Sequence, residues 1–322
     1  MAEKPEEPYL DFVPSITQNQ SRLRFLFGAF HPRPLGETFH DFLVQLLKWT
    51  FTETWWKHQA ALSPDKQHVV FRWEQCRARL REQPAERLEA DGTGSRRVSG
   101  QVASLLQLGY DLYCLQVRNR LPQVLVDKLL NHQEFQGARY ELIAGAIMQR
   151  AGFRVEFLDD SKFTVKHSEF IATDRLTGVR VGVEAKSRKR PGVLNAPAGP
   201  QGNDVRGMQG LLRKAKKQGQ PDLPFFAFLD VNLPSSPGVR PAKWTKDLQE
   251  ALSTRCSAAA PDPFTAIFAT NFAGHYGAED EKSLTHEWVT VIPRHCTVAV
   301  EPPVLFRIDD VMPRYVRIPI NL

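Results

Sequence analysis

Two β-strand patterns joined by a short polar turn constrain the fold of this chain more than any other feature. They cover residues 168–173 and 181–186, and each contains β-branched residues. The turn between them ends at Gly178, and glycine tolerates the left-handed conformation that closes many hairpin loops. The pattern therefore predicts an antiparallel β-hairpin in which Asp174 pairs with Val179.

That pairing fixes which side chains meet across the hairpin. Glu169 is predicted to lie opposite Glu184, with their Cβ atoms roughly 5 Å apart. Because side chains alternate between the two faces of a strand, Lys186 shares the face of Glu184. Asp174 cannot replace Glu169, because it lies about 16 Å further along the strand. The sequence thus places two carboxylates beside one ammonium group, and this combination suits a divalent metal ion.

The arrangement resembles the PD-(D/E)XK nuclease family, whose fold is called restriction endonuclease-like. The resemblance covers roughly residues 134–231, and residues 184–186 supply its Glu-X-Lys part. Ser168 and Glu169 stand where the family more often has Pro-Asp. The family also often carries a glutamate on the helix before the hairpin, and Glu141 occupies the matching place.

The resemblance implies a role for each of these residues in phosphodiester hydrolysis. Glu169 and Glu184 would be ligands of Mg²⁺, for which Mn²⁺ can substitute, and the Ala185 carbonyl is a third candidate ligand. Glu141 would be a further ligand, directly or through water. Lys186 would orient or deprotonate the attacking water, or stabilise the charge that develops during the reaction.

The acid-X-Lys spacing by itself is a weak signal. It also occurs at residues 160–162 and 280–282, where no comparable pair of strands is predicted. The structural alternative is a surface hairpin with a cross-strand charge cluster, which stabilises a fold by only about 0.2–1 kcal/mol per pair. For Glu141 the alternative is an ordinary solvated helix residue. The succession of helix, hairpin and basic segment favours the metal site over these alternatives.

The segment after the hairpin is strongly basic. Between residues 186 and 217 there are nine basic residues and one acidic residue, Asp204. Besides Lys186, the basic residues are Arg188, Lys189, Arg190, Arg206, Arg213, Lys214, Lys216 and Lys217. Such a segment attracts phosphate groups, so we expect these residues to bind nucleic acid.

Two parts of this segment have alternative interpretations. The Pro- and Gly-rich loop over residues 191–203 either contacts nucleic acid or only connects two secondary-structure elements. The helix predicted over residues 204–217 carries Gln209, and a glutamine at this place recurs in parts of the nuclease family. Gln209 is therefore a candidate nucleic-acid contact, with a solvated helix glutamine as the alternative.

The whole pattern predicts an α/β fold with a restriction endonuclease-like core, a mixed central sheet flanked by helices, preceded by an α-helical N-terminal region. We place these parts at residues 134–322 and 1–133. The helical region is expected to select the target, bind a protein partner or form a homodimer. The strands are predicted at residues 154–158, 163–166, 169–173, 180–186, 224–231, 264–269 and 288–292, and the helices around the hairpin at 134–151 and 204–217.

Two further predictions concern the N-terminal region. Apolar residues recur at helical spacing between residues 37 and 130, and a polar stretch over residues 81–97 predicts a loop between the helical blocks. Aromatic residues in amphipathic helices usually pack inward, so we expect the tryptophans of this region in the core. They are Trp49, Trp55, Trp56 and Trp73.

Composition agrees with an anionic partner. The chain has 322 residues, a formal net charge of +6 and a pI near 9.2. The charged residues 1–7 do not resemble a secretory signal, and no apolar run reaches a membrane-spanning length, so we expect a cytoplasmic protein without a membrane partner. The cysteines, at positions 76, 114, 256 and 296, are expected to be reduced thiols.

These observations predict a Mg²⁺-dependent endonuclease that acts on DNA. Two alternatives stay open at this stage. The first is a nucleic-acid-binding or scaffold protein whose nuclease site has decayed, which the glutamate in place of the usual first aspartate permits. The second is an endonuclease that cleaves RNA.

Overall fold

The computed structural model describes most of the chain. The described residues are 15–18, 21–88, 94–117, 120–158, 167–194, 196, 199, 206–220, 222–234, 243–253, 257, 259–277 and 286–319. The predicted strand over residues 163–166 and most of the loop over residues 191–203 lie outside these ranges.

The N-terminal region contains a small sheet and several helices. Three strands form an antiparallel sheet that we did not predict from the sequence: β1 (Ser15–Gln18), β2 (Ser21–Leu26) and β3 (Ala29–Pro34). The helices are α1 (Phe39–Thr50), α2 (Glu53–Ala61), α3 (Val69–Glu82), α4 (Gly100–Gln116) and α5 (Gln123–Leu130). The predicted loop between the helical blocks includes a short pair of strands, β4 (Arg87–Leu88) and β5 (Gly94–Ser95).

The rest of the chain forms the larger sheet and its helices. The strands are β6 (Phe153–Phe157), β7 (Phe170–Asp174), β8 (Arg180–Ser187), β9 (Phe225–Asp230), β10 (Ala266–Asn271) and β11 (Glu287–Val291). The helices are α6 (Phe135–Arg150), α7 (Arg206–Lys216), α8 (Lys243–Ser253) and α9 (Pro302–Val311), with short 3₁₀-helices at Ala273–Tyr276 and Met312–Arg314.

The six strands form one mixed sheet in the order β11-β10-β9-β8-β7-β6. β8 runs parallel to β9, and β9 runs parallel to β10, whereas the other neighbours are antiparallel. This arrangement confirms the predicted α/β class with a mixed central sheet. Each predicted strand that falls within the described residues lies within two residues of an observed strand.

The two faces of the sheet pack against different helices. On β8, Val183 and Ala185 belong to the apolar core that α6 completes on one face. On β9, Ala227 and Leu229 point to the other face and pack with buried residues of α7. Every residue of β9 is buried, as expected for a strand covered on both faces.

The apolar core is continuous between the N-terminal helices and the larger sheet. Residues of α1, α3, α4 and α5 share one cluster with residues of α6 and the sheet. A buried ion pair also crosses the predicted boundary, because Arg139 on α6 binds Asp111 on α4 at 2.6 Å. The Tyr315 hydroxyl donates to the same carboxylate at 2.7 Å. Three distant parts of the chain therefore meet at Asp111.

The tryptophans do not all follow the core prediction. Trp73 is 1 % exposed, and Trp55 and Trp56 pack at the edge of the core. Trp49 is 37 % exposed, so the prediction is wrong for this residue. Its ring lies near the end of α1 beside the strand residues His31 and Arg33, where the small sheet covers only part of it.

The remaining whole-chain predictions have simple outcomes. Among the described residues, Cys76, Cys114 and Cys296 form no disulfide bond, and Cys256 lies outside these residues. Within the described part of the chain, no helix combines the length and apolar character needed to cross a membrane.

Candidate active site

The hairpin has the predicted register. Phe170 on β7 pairs with Val183 on β8, and the Asp174 amide donates to the Val179 carbonyl at 2.8 Å. Gly178 adopts a φ of +75°, the left-handed conformation expected at the end of this turn. Continued by one residue, the same register places Glu169 across from Glu184.

The two strands diverge at the candidate site. The β7 ladder begins at Phe170, and Glu169 lies in a bend just before it. β8 continues to Ser187, so residues 184–187 pair with β9 but not with β7. The divergence leaves room beside β8 for side chains that would be crowded within a continuous sheet.

Glu169, Glu184 and Lys186 come together at this divergence. The Lys186 ammonium lies 2.8 Å from a Glu169 oxygen and also forms an ion pair with Glu184. Glu184 is fully buried, whereas the Lys186 and Glu169 side chains are 23 % and 18 % exposed. Apart from the lysine, no hydrogen-bond donor of the described residues reaches the Glu184 carboxylate.

Burial and charge shift the pKa values of this cluster. Burial, helped by repulsion from Glu169 and opposed by Lys186, raises the pKa of Glu184 to about 8. Burial lowers the pKa of Lys186, but the charges of Glu169 and Glu184 outweigh this effect, and the pKa is raised overall. The lysine is therefore a stable cation beside a carboxyl group that ionises reluctantly.

Glu141, on α6, lies near this cluster. Its carboxylate is 3.9 Å from the Lys128 ammonium on α5, and its charge makes a small contribution to the raised pKa of Glu184. Within the described ranges, no three or more His, Cys, Asp or Glu side chains are placed to share one metal ion. The geometry thus brings together the two predicted ligands Glu169 and Glu184, and it does not place Glu141 as a third.

Asp174, excluded as a ligand by its distance along the strand, has a structural role. It forms an ion pair with Arg307 on α9 at 2.6 Å and accepts a hydrogen bond from the Thr177 hydroxyl. These contacts hold the turn of the hairpin at the opposite end from the acid pair.

The basic helix α7 covers the same face of the sheet as the acid pair. Glu184 and Lys186 pair with Ala227 and Leu229, which pack against α7. The apolar side of α7 is buried at Met208, Leu212 and Ala215. The predicted nucleic-acid residues Gln209, Arg213, Lys214, Lys216 and Lys217 are all exposed. A cationic surface therefore lies on the side of the sheet that carries Lys186.

The other predicted nucleic-acid residues differ in exposure. Lys189 is exposed, Arg188 is half-buried and Arg190 is only 7 % exposed. The burial of Arg190 makes it a poor candidate for a phosphate contact. Arg206 begins α7, but its side chain lies outside the described part of the structure.

A buried polar network next to Lys186 was not predicted from the sequence. Asp230, at the end of β9, accepts hydrogen bonds from the Ser187 hydroxyl at 2.9 Å and the Tyr276 hydroxyl at 2.8 Å. Burial raises the pKa of Asp230 to about 6 against the opposing effect of these hydrogen bonds. The sequence does contain a signal for this network, which is the polar residue Asp230 at the end of an apolar strand. Ligands of α/β sheets bind at the carboxyl ends of parallel strands, so a polar residue there indicates a functional position.

Comparisons of this chain with protein-family models, with curated proteins and with solved structures find no match.

Proposed function

We propose that this protein is a metal-dependent endonuclease with a restriction endonuclease-like core, and that it hydrolyses phosphodiester bonds in DNA. The observation that carries the proposal is the buried carboxylate of Glu184, placed beside Glu169 and Lys186 where β7 and β8 diverge. A surface charge cluster would not need a fully buried glutamate, because exposed pairs form without the cost of removing a carboxylate from water.

The donor set fits a divalent metal ion. Two carboxylates that repel each other gain from a bound cation, and Glu184 lacks hydrogen-bond donors other than Lys186 in the described structure. Mg²⁺ is commonly held by one or two carboxylates and keeps several waters, so a pair of glutamates is sufficient. When bound, Mg²⁺ or Mn²⁺ would neutralise phosphate charge and lower the pKa of a water molecule.

Lys186 would contribute a fixed positive charge to the reaction. Because its pKa is raised, it remains protonated at neutral pH and acts as a hydrogen-bond donor. A donor aimed at the reacting phosphate stabilises the charge that develops in the transition state. This role is favoured over that of a general base, which would require a lowered pKa.

DNA fits the cationic surface of α7. The exposed basic side chains lie on the face of the sheet that carries Lys186, so a backbone that follows them would pass the acid pair. Contacts of this type are made with phosphates and carry little sequence information. The N-terminal region would then supply target choice, a protein partner or a homodimer contact.

The direct test is cleavage of labelled duplex DNA, single-stranded DNA and RNA with Mg²⁺, with Mn²⁺ and with EDTA. The proposal expects cleavage of DNA that requires the metal ion. Cleavage of RNA alone would favour the RNA endonuclease. Binding of nucleic acid without cleavage by the purified protein would favour a decayed nuclease that acts as a binding or scaffold module.

Neutralising the basic side of α7 is expected to weaken nucleic-acid binding for all sequences. The variant changes Arg213, Lys214, Lys216 and Lys217 to glutamine. Each lost phosphate contact removes about 0.9 from the slope of log affinity against log salt, so the slope should fall by up to about 3.6. The measurement is a binding titration by fluorescence anisotropy over a series of salt concentrations.

A second variant controls for net charge. Arg154, Arg180, Arg294 and Arg317 are exposed basic residues outside both α7 and the N-terminal region, and changing them to glutamine removes the same total charge. The control should keep the parent slope. Equal slopes for the two variants would show that α7 makes no local contact with the phosphates.

A further inference from the structure

Within the described residues, the end of β8 is paired on one side only. From Glu184 onward it pairs with β9, and no described strand pairs with it on the β7 side. Catalytic side chains lose much of their effect when they move by about 1 Å, so a half-paired strand is a poor support for Lys186 on its own. Other contacts must fix this segment if Lys186 is to keep a defined position.

Two side-chain amides meet at the backbone carbonyl of Arg188, two residues after Lys186. Gln136, in the first turn of α6, donates to this oxygen at 2.7 Å, and Asn232, after β9, donates to it at 2.9 Å. Gln136 also donates to the Ser187 hydroxyl at 2.9 Å. One carbonyl therefore joins α6, β8 and the segment after β9.

The backbone around Asp230 completes this attachment. The Arg188 amide donates to the Asp230 carbonyl at 3.1 Å, so both polar groups of the Arg188 backbone are occupied. Asn232 adopts a φ of +42°, an uncommon conformation for a residue other than glycine, and it is fully buried. Strained residues of this kind often lie at functional sites, where the surrounding structure enforces the conformation.

We infer that Gln136 and Asn232 are positioning residues of the metal site. They hold the Arg188 carbonyl, and this contact fixes the unsupported end of β8, so that Lys186 stays between Glu169 and Glu184. The Gln136 contact comes from the sheet face opposite to Lys186, because Gln136 also binds Ser187, and Ser187 and Lys186 point to opposite faces of β8. Gln136 and Asn232 would thus influence the reaction without touching the substrate. This inference rests on the proposed nuclease function.

The test uses Gln136→Ala and Asn232→Gly in the full chain. Glycine tolerates the positive φ, so the second variant removes the amide without adding backbone strain. We expect kcat to fall about 10- to 100-fold with KM unchanged within about twofold, because substrate binding does not depend on the position of Lys186. The kcat of the double variant should be little lower than that of either single variant, because both amides act on one carbonyl.

A second measurement does not depend on cleavage. Hydrogen exchange of the Arg188 amide should become at least about tenfold faster in both variants, while amides in the middle of β9 keep the parent rate. The control is Gln133→Ala, which changes an exposed glutamine of the preceding turn. Exchange that remains at the parent rate would overturn the inference, and so would a fall in kcat that only follows a general loss of stability. If the parent protein does not cleave, the proposed function fails and exchange at Arg188 still decides whether the two amides hold β8.

Discussion

Replacing Lys186 with methionine is expected to reduce metal-dependent cleavage by about 10²- to 10³-fold, the usual effect of removing one preorganised hydrogen-bond donor from a transition state. Methionine keeps most of the side-chain length, has sulfur in place of the Cδ methylene and lacks the ammonium group. Binding of DNA should change little, because the phosphate contacts proposed for α7 remain. The measurement is a single-turnover rate at saturating protein, in which binding does not limit the observed cleavage.

Two further variants make this result specific. Lys246→Met removes an exposed lysine on α8, outside the predicted nucleic-acid contacts, and should cleave at nearly the parent rate. Glu184→Ala should lose cleavage at least as severely as Lys186→Met. A Lys186→Met protein that folds, binds DNA and cuts as fast as the parent would remove this residue from the proposed mechanism.

Replacing Glu184 with glutamine is expected to stabilise the metal-free protein at alkaline pH. The pKa of this buried carboxyl is raised from 4.5 to about 8, so the folded state holds its proton where the unfolded chain has lost it. The parent should therefore lose stability as pH rises from about 4.5 to 8, by an amount on the order of a few kcal/mol. Glutamine cannot ionise, and the variant escapes this loss.

The comparison is the free energy of unfolding of parent and Glu184→Gln in EDTA, measured by urea denaturation between pH 5 and pH 9. The difference in the free energy of unfolding between Glu184→Gln and the parent should be small at pH 5 and largest above pH 8. Glu156→Gln, which changes an exposed carboxylate on β6, should show no such trend. Saturating Mg²⁺ should stabilise the parent and leave the glutamine variant almost unchanged, since a ligand stabilises only the state that binds it. A difference in the free energy of unfolding that does not vary with pH would contradict the raised pKa of Glu184.

The sequence alone determined the hairpin and the acid pair. Local rules were sufficient there, because a turn that ends at Gly178 fixes the register, and the register fixes which side chains face each other. The same reasoning located the strands of the central sheet, since alternating or continuous apolar runs depend only on neighbouring residues. The distance along the strand also excluded Asp174 as a ligand at the site.

The tertiary structure alone decided how deeply the site is buried and what surrounds it. Burial of Glu184 depends on packing between β8, β9 and α7, and these elements are separated in sequence by loops whose paths local rules do not specify. The same is true of the contacts of Gln136 and Asn232 with Arg188, which join residues 52 and 44 positions apart.

The N-terminal region shows the same division. Helical spacing predicted its helices, but it did not predict that Trp49 would be exposed or that Asp111 and Arg139 would form a buried ion pair across the proposed boundary. A local pattern specifies the conformation of one segment and the face that is apolar. It does not specify which distant segment covers that face, because this depends on how the whole core packs, and that packing is a property of the folded chain.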